Sequence, residues 1–261
     1  MRGIRTLKIV SDHLWAVNLP TLRRPPVKPD EPKTEGLVRW GICMFVYSLI
    51  AHMQKILGGL VTLAESGNVA ASAPVGRHVF EWTALSCYIT RKLRPLVTNQ
   101  DWNEAWALLT KVALGSGWAG KYGPQYAAPQ FAKLPFEIPY PVRVGKAVEE
   151  YEKYQAEKAR AVEANEDYSL LSDYSHPNAA CLMRYQSWEE GGRVCRFIDP
   201  DTGPEQESFL PFANVCLIDL LSFLYELLGM AGETVVRPKI KIVLDEVLEL
   251  APPHLRSSVP A

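Results

Sequence analysis

Residues 37–64 read LVRWGICMFVYSLIAHMQKILGGLVTLA. Apolar side chains cover almost every face of a helix built from this stretch, and only Ser48, His52 and Lys55 form a narrow polar stripe. A helix that is apolar nearly all round is typical of the centre of a bundle. The uncharged part, Trp40 to Gln54, is shorter than the roughly 20 residues that span a bilayer. The stretch predicts a central helix of a bundle, with a transmembrane helix as the alternative.

The rest of the chain predicts further helices around this one. A helix is expected from Pro74 to Leu93, because proline in the first turn is a start signal and Pro95 marks a stop. Alternating residues between turn-forming clusters are compatible with a small β-hairpin near residues 188–200. The predicted fold is an all-α bundle of about six or seven helices. The other helices are expected at about residues 102–114, 142–171, 177–185, 211–229 and 235–250.

Proline density divides the chain into segments. Residues 20–35 contain five prolines among charged residues, which excludes a helix and favours an extended linker. Residues 1–18 show no clear periodicity. We therefore expect residues 1–35 to be an N-terminal segment and linker, residues 36–250 to be a single helical domain, and residues 251–261 to be a flexible tail.

The balance of charges and the cysteine spacing argue against some classes of protein, such as nucleic-acid-binding and zinc-binding proteins. The 261 residues include 28 basic and 29 acidic side chains, a formal net charge of -1. Binding to a nucleic-acid backbone needs a basic surface, which this balance does not provide. The five cysteines are widely spaced and contain no CxxC pair, so we expect reduced thiols in a cytoplasmic protein and no metal site.

One glycine-rich motif is a candidate for a nucleotide-binding site. Residues 115–120 read GSGWAG, which matches the GxGxxG pattern of dinucleotide-binding proteins. Such a site requires a strand before the motif and a helix after it. Here a predicted helix precedes the motif and Gly123-Pro124 follows it. We therefore expect a tight loop and no cofactor.

Four polar side chains are candidates for a functional pocket. Arg77 and Glu81 lie one turn apart on a predicted helix that is apolar on both flanks, and buried charges need partners. His176 precedes Pro177, which suits the first position of a helix and holds the imidazole near the helix N-terminus. Ser172 is four residues earlier. We predict that Arg77, Glu81, His176 and Ser172 converge in one polar pocket, serving either as a structural network or in ligand binding and acid–base catalysis.

These residues also carry a resemblance to a known family. Residues 63–68 (LAESGN), 76–81 (GRHVFE) and 168–178 (YSLLSDYSHPN) resemble a bacterial all-helical family of unknown function. That family shows an Arg-x-x-x-Glu helix and a Tyr-x-x-Leu-Ser segment that ends in His-Pro. The resemblance covers roughly residues 37–230 and implies a helical bundle without an established reaction.

A more distant similarity is to the HEPN helical domains, several of which are metal-independent ribonucleases or toxins. Those enzymes carry an arginine, then a polar residue, and then a histidine one turn later on the same helix. In this chain Leu171 or Ser172 stands at that position before His176. The similarity implies a ribonuclease only if Arg77 supplies the missing guanidinium in space.

These observations predict a helical protein that acts by binding a partner or a ligand through the polar pocket and associates with itself. The alternative from another class is a HEPN-like ribonuclease or toxin that uses His176 and Arg77, with nucleic acid as its partner. A second alternative is a membrane-associated protein that uses the helix at residues 40–64, although we do not expect a membrane partner.

Overall fold

The computed structural model describes residues 2–23, 25, 32–113, 142–158, 160, 171, 186–189, 194–197 and 204–252. Within these residues the backbone forms an all-α bundle, which confirms the predicted fold class, together with one antiparallel hairpin in which Trp188 lies opposite Cys195. The elements are α1 (Arg2–Trp15), α2 (Glu35–Glu65), α3 (Val69–Thr98), α4 (Trp102–Ala113), α5 (Val144–Glu157), β1 (Gln186–Glu189), β2 (Val194–Phe197), α6 (Pro204–Met230) and α7 (Arg237–Leu250).

The two most apolar helices, α2 and α6, form the centre of the bundle. The Thr34 side chain caps α2 by accepting a hydrogen bond from the backbone N–H of Leu37 at 3.3 Å. Helix α2 packs against α1, α3, α4 and α6, while α3 packs most extensively against α6 and α5. The approach of α4 to α2 depends on Gly41, where a Cβ atom would lie 2.9 Å from Trp106 Cζ3. These contacts place α3 between the two central helices and α5.

Helix α1 extends the core beyond the predicted boundary at Gly36. Residues 1–18, in which we found no clear periodicity, contain a helix that packs against α2, α6 and α7. Leu7, Val10, Leu14 and Val17 from this segment are buried in the main core. Their spacing of three, four and three residues is helical. The expected separation of residues 1–35 from the helical domain is therefore corrected for α1.

Helix α3 begins earlier and ends later than its prolines predict. The Asn68 side chain accepts a hydrogen bond from the backbone N–H of Ala71 at 2.8 Å, so the helix starts at Val69. Pro74 and Pro95 both lie inside the helix. An interior proline removes one backbone hydrogen bond, but Pro74 and Pro95 lie near the two ends of a helix whose central apolar face is buried. The expected start at Pro74 and stop before Pro95 are both wrong.

Helix α5 is shorter than the helix predicted for residues 142–171. It ends at Glu157, and the backbone N–H groups of Lys158 and Arg160 bond to carbonyl groups in the last helical turn. No glycine or proline marks this end. The chain leaves the helix where the Arg160 side chain reaches Asp219 on α6. The predicted loop at residues 115–120 and the predicted helix at 177–185 lie outside the described residues.

Among the described residues, two helices meet the length and hydropathy criteria for crossing a membrane. They are α2 and the Phe212–Met230 part of α6. Within the bundle, 61% of the apolar window in α2 and 67% of that in α6 are buried. The mostly buried core helix of a soluble protein meets the same criteria, so this property is weak support for the membrane alternative.

Candidate functional site

The structure describes one half of the predicted polar pocket. Arg77 and Glu81 lie on α3, where Arg77 Nε donates to Glu81 Oε1 at 3.0 Å. About a fifth of each side chain is exposed, 20% for Arg77 and 23% for Glu81. Ser172 and His176 lie outside the described residues, so their convergence with this pair stays a prediction.

Two histidines lie in contact beside Arg77 and Glu81. The sequence did not predict this pair. His52 projects from α2 and His78 from α3, and their Nε2 atoms lie 2.7 Å apart. The indole Nε1–H of Trp82 donates to His78 Nε2 at 3.0 Å. These five side chains, His52, Arg77, His78, Glu81 and Trp82, are called the His52 cluster. The cluster combines two imidazoles, a carboxylate and a guanidinium on neighbouring helices.

The hydrogen bonds of the His52 cluster define the tautomer of His78. The indole of Trp82 is a donor only, so His78 Nε2 must present its lone pair. The neutral His78 ring therefore carries its proton on Nδ1, which lies 4.0 Å from Glu81 Oε2. With His78 Nε2 as an acceptor, His52 Nε2 carries the proton between the two rings, and the N–H groups of His52 and Trp82 share the single lone pair of His78 Nε2. A second proton on this pair would place two donors face to face.

Aromatic packing holds the two imidazoles in position. The Trp82 ring lies edge-to-face with both histidines, at centroid distances of 5.9 Å from His52 and 6.1 Å from His78. On its other side Trp82 contacts Phe45 of α2 at 6.4 Å. The His78 side chain is still 41% exposed. The rings of Trp82 and Phe45 therefore pack against one side of the cluster, while the His78 side chain remains accessible to solvent.

We expect the His52 cluster to make the folded state sensitive to acid. Burial, and then the neighbouring His78, lower the pKa of His52 from its usual 6.5. The unfolded chain therefore takes up this proton at a higher pH than the folded chain. The stabilisation by neutral His52 is complete above about pH 6.5 and is lost as the pH falls through the lower pKa of the folded state.

Urea unfolding at pH 7.5 and pH 5.5 measures this effect. The free energy of unfolding should fall more on acidification in the wild type than in His52→Gln. Ser48→Ala, one turn earlier on the same exposed stripe of α2, should keep the wild-type pH dependence. Equal pH dependence in the wild type and His52→Gln would show that His52 does not contribute.

A second polar cluster lies inside the bundle and is fully buried. The Asp219 carboxylate on α6 is 1% exposed and pairs with Arg160 Nη1 at 2.8 Å. Tyr151 Oη and Gln155 Nε2 from α5 also donate to Asp219 Oδ2, at 2.8 and 2.6 Å. We call these four residues the Asp219 network. Because its carboxylate is saturated by internal donors and shielded from water, it is suited to holding α5 against α6 and not to binding a ligand.

Ion pairs also connect α3 to α5 at the edge of the core. Arg91 of α3 donates through Nε to Glu150 and through both Nη atoms to Glu157, each at 2.7 Å. Lys92 adds a contact with Glu150 at 3.2 Å. The guanidinium and the ammonium keep the pKa of Glu150 below its usual value despite burial. These groups bind each other across the α3–α5 interface and leave the His52 cluster as the more accessible site.

Two buried cysteines, Cys43 and Cys87, are poorly suited to act as nucleophiles. Their side chains are buried in the core of the bundle. Burial raises the pKa of Cys43 to about 11 and also raises that of Cys87. A nucleophilic cysteine requires the thiolate, and at neutral pH Cys43 and Cys87 are protonated.

No protein-family model matches this sequence, and no curated protein and no solved structure matches it either. The resemblance to the bacterial helical family and to HEPN domains therefore stays a prediction from the quoted motifs.

The sequence contained only part of the signal for the His52 cluster. His52 belongs to the polar stripe of α2, and His78 is adjacent to Arg77 on α3. Neither position shows ligand spacing within one helix, because the two histidines are 26 residues apart. Their contact depends on the register between two long helices, which hydrophobic periodicity alone does not define.

Proposed function

We propose that this protein acts by binding a ligand through the His52 cluster. The observation that supports this proposal is the 2.7 Å contact between His52 and His78 beside a partly exposed Arg77–Glu81 pair. Polar groups buried in a protein core are usually satisfied by internal hydrogen bonds, as in the Asp219 network. The His52 cluster instead keeps an imidazole open to solvent on the interface between two otherwise apolar helices.

The chemistry of the His52 cluster favours a small polar ligand or a cation over a large polyanion. The charges of Arg77 and Glu81 balance each other, and burial together with the neighbouring His78 lowers the pKa of His52 from its usual 6.5. Neutral imidazole nitrogens supply lone pairs and one donor each. A ligand that accepts one hydrogen bond or offers an electron-pair acceptor therefore fits this site better than a phosphate backbone does.

Histidine NMR tests the proposal without knowing the ligand. The chain has five histidines, and each gives a separate Cε1–H signal. Adding the small-molecule fraction of a cell extract should shift the signals of His52 and His78. The His13 signal is the internal reference, because its ring contacts Glu246 on α7 at 2.6 Å, away from the cluster.

The variants Arg77→Ala and Glu81→Ala separate binding from stability in this experiment. A binding role predicts that both variants keep a melting temperature close to that of the wild type and lose the shifts of His52 and His78. A purely structural role predicts a large fall in melting temperature and no extract-dependent shift in the wild type, and that result would contradict the proposal.

A further inference from the structure

The hydrogen bonds of the His52 cluster leave one ring nitrogen of His52 as an acceptor. The Trp82 indole can only donate, so His78 Nε2 accepts its N–H at 3.0 Å. His52 Nε2, at 2.7 Å from the same atom, therefore carries a proton. A neutral imidazole with its proton on Nε2 has its lone pair on Nδ1. Among the described residues no donor bonds to His52 Nδ1, so the cluster presents this lone pair to a ligand.

The His52 ring is held in place before a ligand arrives. Its Nε2 is bound to His78 of α3, and the Trp82 ring packs edge-to-face against it at a centroid distance of 5.9 Å. His52 is nevertheless an exposed residue, on the same face of α2 as Ser48 and Lys55. A side chain that is already ordered loses less conformational entropy when a ligand binds. His52 thus differs from a surface histidine whose rotamer and tautomer no neighbour restricts.

The charges near His52 select the kind of hydrogen-bond donor. Lys55 is three residues later on α2, which makes it a neighbour on the helix surface. Its ammonium group lies over the Trp15 ring at 4.3 Å and, in the part of the chain that the structure describes, pairs with no carboxylate. Arg77 and Glu81 balance each other. The remaining positive charge opposes an ammonium ligand and favours a neutral donor whose oxygen becomes negative as it donates.

We propose that His52 Nδ1 accepts a hydrogen bond from the acidic hydroxyl group of a small neutral ligand, of the phenol or enol class, and that His78 positions His52 for this contact. The inference rests on the proposed function, because it names the ligand class of the same site. Hydrogen bonds gain strength as their partners take on charge, so an acidic hydroxyl suits a nitrogen beside an ammonium group. A methyl ether of the same shape has no proton to donate and loses this bond.

Titration of the full-length protein with phenol and with anisole, its methyl ether, tests this inference. The signals to follow are those of the histidine side chains in nitrogen-15 NMR at pH 7.5. Phenol should shift the Nδ1 signal of His52 to saturation, and anisole should bind about ten-fold more weakly, the value of one net hydrogen bond. His52→Ala should lose phenol binding. His13→Ala is the matched control, because its ring contacts Glu246 on α7, and should bind phenol as the wild type does.

Two variants of His78 test its positioning role. In His78→Leu the acceptor is absent, so the His52 nitrogen signals should report a mixture of tautomers and phenol should bind several-fold more weakly. His78→Gln keeps an acceptor oxygen and should restore both the Nε2 proton of His52 and the binding. A merely structural role would change the melting temperature and leave the tautomer of His52 unaltered.

The pH dependence of phenol binding gives a further check. Burial, and then His78, lower the pKa of His52 from 6.5. Phenol should therefore bind with constant affinity above about pH 6.5 and more weakly as the pH falls through this lower pKa, because protonated His52 has no lone pair to offer.

Equal affinity for phenol and anisole, or phenol binding that is unchanged in His52→Ala, would overturn the inference. The extract experiment keeps this failure separate from failure of the proposed function. If an extract shifts the His52 and His78 signals while phenol does not bind, the cluster binds a ligand of another class and the hydroxyl inference is wrong. If neither the extract nor phenol shifts these signals, both proposals fail.

Discussion

Replacing Asp219 by alanine should lower the free energy of unfolding by about 3–5 kcal/mol, the cost of removing one partner of a buried ion pair. The variant leaves Arg160, whose side chain is 5% exposed, without its buried carboxylate. It also removes the acceptor for the Tyr151 hydroxyl and the Gln155 amide. A domain is stable by only about 5–15 kcal/mol, so this single change should remove a large share of the total.

Urea denaturation measures this loss, and an exposed ion pair provides the control. Asp245 bonds to Lys241 at 2.5 Å on α7, and its side chain is 52% exposed. Asp245→Ala should change the free energy of unfolding by less than about 1 kcal/mol. A loss below about 1 kcal/mol in Asp219→Ala would show that the Asp219 network does not stabilise the bundle in the way described.

Removing residues 1–17 should abolish cooperative folding or leave a protein that is barely stable. The deletion takes away Leu7, Val10, Leu14 and Val17, which are all at most 4% exposed. At about 1.5–3 kcal/mol for each buried side chain, the loss is about 6–12 kcal/mol. That amount is comparable with the whole stability of a typical domain. The deletion also uncovers the apolar surfaces of α2, α6 and α7 that α1 covers.

Single substitutions in α1 test the effect of side-chain packing without changing the chain length. Leu7→Ala should cost about 2–5 kcal/mol, since it creates a cavity in a fully buried position. Arg5→Ala, at an exposed position of the same helix, should stay within about 0.5 kcal/mol of the wild type. A chain that starts at Gly36 and has the same urea midpoint as the full protein would contradict the assignment of α1 to the core.

Hydrophobic patterning predicted α2 and α4 well because burial dominates their sequences, whereas α6 begins at Pro204, earlier than the expected start at about residue 211. Helix α2 was expected at residues 37–64 and spans Glu35–Glu65, and the start and end of α4 were also close to prediction. The ends of α3 were missed because a proline signal is local. The Asn68 cap and the burial of side chains such as Phe80 outweigh the loss of one hydrogen bond at Pro74.

The polar clusters were harder to predict because their partners come from different helices. Arg77 and Glu81 were recognisable as a pair because they are one turn apart on one helix. The contact of Asp219 with Arg160 joins residues 59 positions apart, beyond the end of α5. Likewise, the approach of His52 to His78 depends on how α2 and α3 are rotated relative to each other. Sequence periodicity defines which face of a helix is buried, but not this register.

Nitrogen-15 NMR of the histidine side chains tests the central claim, that His52 and His78 form one coupled site. In chelator-treated protein at pH 8, we expect the His78 proton on Nδ1 and the His52 proton on Nε2. The pKa of His52 should lie below 6.5, and His52→Ala should change the Nε2 signal of His78. A His52 pKa at its usual value, together with a His78 signal that is unchanged in His52→Ala, would contradict the account.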